Sequence, residues 1–158
     1  MTEQGKSVAA AEVALERLFR LTVSRQMDTR QAAAVGAVVT RAGYALLRIL
    51  SEATELAVAE LARRCSMDPA ACGRQLQALD REGLITRTAG AEDGRVIVVK
   101  LTEAGRNVYQ RIVAVRNDHM EQVLVDWPEA DREALAALVG RLVDDLKATP
   151  FRPIKEQP

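Results

Sequence analysis

The sequence predicts a mostly helical α+β fold carrying one small β-hairpin, and three observations lead there. Aromatic residues make up only 3% of the 158 residues, so the core must be built from Ala, Leu and Val, and the first two favour helix in isolation. Apolar residues recur at helical spacing near both ends of the chain. A single pair of short β-type runs, Leu84 to Arg87 and Val96 to Leu101, interrupts the helical pattern.

Each element can be justified in order. From Val8 to Met27, Ala11, Leu15, Leu18 and Phe19 fall on one face, with Glu12, Glu16, Arg17 and Arg20 between them. Asp28-Thr29 breaks this run and a short Ala-rich segment, Gln31 to Val39, follows. Thr40 is an N-cap for a helix over Arg41 to Glu52, whose apolar side carries Tyr44, Leu47, Ile49 and Leu50. Residues 54–58 read as a connector. Ala59 to Arg64 then form a short helix with Leu61 and Ala62 inward, and Cys65-Ser66-Met67 turn the chain. Asp68 caps the next helix, with Pro69 at its first position, where a missing N–H costs nothing. That helix runs to Glu82, and Gly83 is its stop. The hairpin follows, with residues 88–95 as its loop. Thr102 opens a long helix reaching about Asp126, and Trp127-Pro128 separates it from a last one. There Leu135, Leu138, Val139, Leu142, Val143 and Leu146 trace an i, i+3, i+4, i+7 pattern expected of a buried stripe. The tail, 149–158, contains three prolines and is expected to be mobile.

These elements make one domain over residues 1–158. Residues 40–101 form a winged helix-turn-helix lobe, and the helices over 8–39 and 106–148 lie outside it. Burying their stripes against each other and against a second copy gives a homodimer, in which 8–39 and 106–148 are the dimerisation helices. An intrachain bundle is the alternative. The dimer also suits a protein that reads two half-sites one helical turn apart.

Composition excludes several function classes. Lys and Arg number 22 against 22 Asp and Glu, which gives no field for coating nucleic acid non-specifically. DNA binding must therefore rest on a few placed arginines. The N-terminus lacks the basic-then-apolar order of a signal peptide. The longest uncharged run, Gln31 to Thr40, spans ten residues, about half a membrane span. The expected location is the cytoplasm, with no membrane partner. No nucleophile–base pair, paired carboxylates or phosphate loop is present, so neither catalysis nor a cofactor is expected. His119 is the single histidine, and with two distant thiols it makes no metal site.

On the helix after Asp68, placing Cys72, Leu76 and Leu79 inward puts Ala70, Arg74, Gln77 and Arg81 outward, with Gly73 at the margin. A helix in the major groove reads bases with its N-terminal residues. Arg74 is thus the first candidate for a base edge, guanine above all, and Gln77 the second. Ala70 and Gly73 allow close approach to a thymine methyl. Arg95, at the hairpin tip, is placed to reach a narrow groove. Tyr44 and Arg48, four apart on one helix face, would suit a small aromatic or anionic effector. Cys65 and Cys72 read as small core residues.

Three stretches resemble the MarR family of multiple-antibiotic-resistance regulators. Leu56 to Arg64 is similar to its first helix-turn-helix helix, and Asp68 through Arg74, Leu79 and Gly83 to Ile85 is similar to its recognition helix and exit. Asp93-x-Arg95 followed by Leu101-Thr102-x-x-Gly105 resembles its wing signature. The resemblance implies an obligate homodimer that binds a pseudo-palindromic operator on double-stranded DNA, usually as a repressor, and releases it when a small-molecule effector binds or a cysteine oxidises. It implies Arg95 in the minor groove, oriented by Asp93. Ala70, Ala71 and Gly73 stand where the family often has hydroxyl residues, which removes hydrogen bonds to DNA. Ser66 stands where glycine is frequent. A winged-helix protein-interaction module, or a ligand-binding dimer without DNA function, remains the alternative.

Overall fold

The computed structural model describes residues 2–22, 29, 32–90 and 94–151. Its elements are α1 (Glu3–Thr22), α2 (Arg41–Ser51), β1 (Leu56–Ala57), α3 (Val58–Arg64), α4 (Pro69–Arg81), β2 (Ile85–Ala89), β3 (Ile97–Leu101), α5 (Glu103–Val123) and α6 (Glu129–Ala148). Residues 32–35 add a helical turn before α2. The chain divides into two compact units, Met1–Asn117 and Asp118–Pro158.

The core lies in the first unit. Leu46, Leu47 and Leu50 of α2, Leu61 and Ala62 of α3, and Cys72, Leu76 and Leu79 of α4 meet Ile85, Val99, Leu101, Val108 and Ile112. Burying each large aliphatic side chain contributes about 1.5–3 kcal/mol, so this cluster holds the lobe together. The described residues include no buried polar or charged side chain.

The connector at 54–58 does more than link. Leu56 and Ala57 pair antiparallel with Val99 and Val98, making β3 the centre of a three-stranded sheet in the order β1-β3-β2. A two-residue strand has no period of its own, so the sequence offered no sign of it. The hairpin is shifted slightly from expectation, with Ile85 opposite Leu101 and Ala89 opposite Ile97. A further bond from Gly90 N to Val96 O at 2.7 Å extends it. Only its base is anchored: Ile85, Val99 and Leu101 are buried, whereas Thr86 to Ala89 and Val96-Ile97 are exposed. The hairpin therefore projects from the core as a wing.

Both terminal helices form, α1 beginning at Glu3 rather than Val8, and large apolar side chains on each are exposed among the described residues. On α1, Leu18 and Phe19 are exposed and Leu15 is half-buried. On α6, within the single chain, Leu138 is 64% exposed, Val139, Val143 and Leu146 are exposed, and Leu135 and Leu142 are half-buried. Helical periodicity reports which face is apolar and is silent about what covers it. The expected extension of the first helix to Met27 and most of the tail lie outside the described residues.

Candidate nucleic-acid interface

The site begins with the turn between α3 and α4. Cys65 caps α3, Ser66 N donates to Arg63 O at 3.1 Å, and Met67 N donates to Ala62 O at 3.0 Å. This pair of bonds is a Schellman motif, which needs a left-handed residue after the cap. Ser66 takes that conformation with φ of 51°, where glycine would carry no Cβ penalty. The same motif ends α4, from Gly83 N to Asp80 O and Leu84 N to Leu79 O, both at 2.9 Å. There the left-handed residue is Gly83, with φ of 67°.

Between these turns α4 is capped by Asp68, whose carboxylate accepts from Ala71 N at 2.9 Å. Its faces divide as the spacing predicts. Cys72, Leu76 and Leu79 are buried. Ala70, Arg74, Gln77 and Arg81 are exposed, and Gly73 is half-buried. A Cβ on Gly73 would meet nothing within 4 Å. A mid-helix glycine costs about 1 kcal/mol relative to alanine, and no neighbour in the fold requires it here. The outer face of α4 is thus open to close approach.

The wing places Arg95 on an exposed turn beyond the sheet, while Asp93 lies outside the described residues. Its base is locked to the exit of α4 through the Leu101-Thr102-x-x-Gly105 segment. The Thr102 hydroxyl accepts from Gly105 N at 2.9 Å and donates to Gly83 O at 2.8 Å. Thr102 N also donates to Leu84 O at 3.1 Å. A Cβ on Gly105 would stand 1.9 Å from Leu84 O, so this approach requires glycine. The segment fixes wing, α4 exit and α5 start as one joint.

On α3, Glu60 accepts from Arg63 at 2.7 Å and from Arg64 at 2.6 Å. The Arg63 bonds, and then those of Arg64, hold its carboxyl at about 2. Both cysteines belong to the interior side of this lobe, Cys72 buried and Cys65 half-buried. Burial pushes both thiols up, Cys65 also through its neighbour Cys72, the opposite of an activated thiolate.

The sequence profile of the MarR family matches residues 39–97. An uncharacterised HTH-type transcriptional regulator of Bacillus subtilis, YxaD, is 32% identical over 102 residues, covering 65% of this chain and 71% of its own. An HTH-type transcriptional repressor of Mycobacterium tuberculosis is 36% identical over 102 residues, covering 65% and 73%. The chain belongs to the MarR family. A cysteine-to-serine mutant of Escherichia coli MarR, solved in complex with operator DNA, has the same fold: the TM-score is 0.66 at 22% identity, over 84% of this chain and 95% of that one. This MarR-family chain is a DNA-binding transcriptional regulator with a winged helix-turn-helix, and not an enzyme.

Two further features of the MarR-family chain were not legible locally. Tyr44 of α2 stacks on Tyr109 of α5, with ring centroids 6.0 Å apart. The guanidinium over the Tyr44 ring, 4.6 Å from its centroid, belongs to Arg116. Arg48, one turn along α2 from Tyr44, pairs with Glu52 at 3.7 Å. Only the packing of α5 on α2 brings Tyr109 and Arg116 to Tyr44. His119 is exposed on α5. No group of His, Cys, Asp or Glu among the described residues is arranged to hold a metal, and no helix among them is long and apolar enough to cross a membrane.

Proposed function

We propose that this protein is a cytoplasmic homodimeric repressor that binds a pseudo-palindromic operator and responds to a small-molecule effector. The observation that carries the reading is the open outer face of α4, where Arg74 and Gln77 flank a glycine that no intramolecular contact requires. In this reading α4 enters the major groove, with Arg74 reading a base edge and Gln77 beside it. Ala70 and Gly73 allow the close approach. Arg95, oriented by Asp93, enters the adjacent minor groove. The exposed stripes of α1 and α6 support dimerisation, since exposed apolar faces of this extent mark association surfaces. The Tyr44–Tyr109 stack, with Arg116 above it and Arg48 one turn away, supports an aromatic or anionic effector bound beside α2.

The test is titration of duplexes selected from a random-sequence pool, at two salt concentrations. Arg95→Ala is expected to weaken binding across sequences and lower the salt slope by about one unit. Arg74→Ala is expected to cost about 1–3 kcal/mol and relax specificity at one base pair. Gly73→Ala is expected to stabilise the fold by about 1 kcal/mol while weakening binding. Unchanged affinity in all three variants would overturn the assignment and leave the protein-interaction reading.

A further inference from the structure

The outer row of α4 is useful to a regulator only if the helix is held at one roll angle. The buried row of Cys72, Leu76 and Leu79 fixes which side faces inward, but apolar contact is non-directional. A roll of about 10° moves a side-chain tip roughly 6 Å from the helix axis by about 1 Å. That displacement exceeds the few tenths of an ångström that a good hydrogen bond to a base tolerates. The Thr102 bonds hold the exit of α4, and a directional tie at the margin between the inner and outer rows would fix the roll along its length.

The structure holds such a tie. The Thr40 hydroxyl accepts from Gly43 N at 2.9 Å, capping α2, and donates its single proton to Gln75 Oε1 at 2.7 Å. Gln75 belongs to the half-buried row Ala71, Gln75 and Ala78, which separates the buried row from the exposed one. The two helices also approach closely at this point. A Cβ on Gly43 would stand 3.2 Å from Thr40 Oγ1 and 3.5 Å from Leu79 Cδ2. One hydroxyl thus serves the cap of α2 and the margin of α4 at once, and apolar packing beside it prevents the two from drifting apart. The same turn of α2 bears Tyr44, whose N donates to Thr40 O at 2.8 Å.

We infer that Thr40 and Gln75 are positioning residues of the DNA interface, whose shared hydrogen bond sets the roll of α4 so that Arg74 and Gln77 meet base edges together. The inference rests on the reading of α4 as the DNA-reading helix. Gln75→Met keeps the stem length and helix propensity and leaves Thr40 free to cap α2. Two probes are used, a duplex selected from a random pool by the wild-type protein and a scrambled duplex of the same composition. Gln75→Met is expected to lose about threefold to tenfold in affinity for the selected duplex. Binding to the scrambled duplex, and the salt slope, stay as in wild type. Thr40→Ser retains wild-type affinity, and Thr40→Val combined with Gln75→Met binds no worse than Thr40→Val alone.

Equal losses on both duplexes with a shallower salt slope would overturn the inference by making Gln75 a phosphate contact. Unchanged discrimination in Gln75→Met would overturn it as well. Amide hydrogen exchange separates its failure from that of the DNA-reading assignment. If the wild-type protein does not discriminate between the duplexes, that assignment fails. Faster exchange along α4 in Gln75→Met, at unchanged global stability, still supports the positioning role, and unchanged exchange overturns it.

Discussion

The winged lobe and the terminal helices are made from the same aliphatic residues, yet among the described residues those of the lobe are buried and many of those on α1 and α6 are exposed. Leu61, on a seven-residue helix, has 0% of its surface exposed, whereas Leu138, on a twenty-residue helix, has 64% exposed. Short elements with turns at both ends fold back on one another and close a core within the chain. Long straight helices present a stripe that a neighbour must cover. The difference teaches that the lobe is stabilised by its own packing, while the apolar faces of α1 and α6 carry the proposal of association.

The largest expected effect tests this directly. Leu61→Ala should lower the unfolding free energy by about 2–5 kcal/mol, read by denaturant titration, without changing the native mass. Leu138→Glu should leave the lobe folded and shift sedimentation toward the monomer, because it places a charge in the proposed interface. Equal stability losses with unchanged mass in both variants would abolish the distinction.

A smaller effect sharpens the picture inside the lobe, where two Schellman turns differ in one residue. Ser66 holds its left-handed conformation against a Cβ penalty, and Gly83 does not. Ser66→Gly should raise stability by about 0.5 kcal/mol, the penalty removed being partly offset by the greater freedom of glycine in the unfolded chain. A loss of stability on thermal melting would mean that the serine side chain contributes more than its strain.

The smallest effect is the pH dependence of α3. Folding lowers the Glu60 carboxyl from 4.5 to about 2. Its ion pairs therefore stabilise the lobe above pH 4.5, and this contribution is lost as pH falls through about 2. The pair is exposed, so the change is slight. Melting curves of Glu60→Gln and the parent should converge at the acid end of that window. A parallel offset throughout would assign the effect to something other than this carboxyl.

The site was legible in the sequence wherever its determinants were local. Asp68 caps α4, Gly83 stops it, and the 3.6-residue period separates Cys72, Leu76 and Leu79 from Arg74 and Gln77, because each depends on residues within two turns. The same locality explains the failures. β1 exists only because β3 offers it a partner more than forty residues later in the chain. The cation over the Tyr44 ring comes from α5, which no spacing within α2 could report. The α6 stripe is apolar as its spacing predicts, and what covers it is not written in that spacing.

By itself, then, the sequence determined the helix-turn-helix, its two caps, the outward face of α4 and an arginine-tipped wing. Each is set by backbone conformation and side-chain period over a few residues. The tertiary structure alone decided the third strand and the Thr40–Gln75 tie between α2 and α4. It also decided the approach of Leu84 to Gly105 and the stack at Tyr44. Those contacts join residues distant in the chain, and their geometry follows from how helices and sheet pack around one core rather than from any local preference.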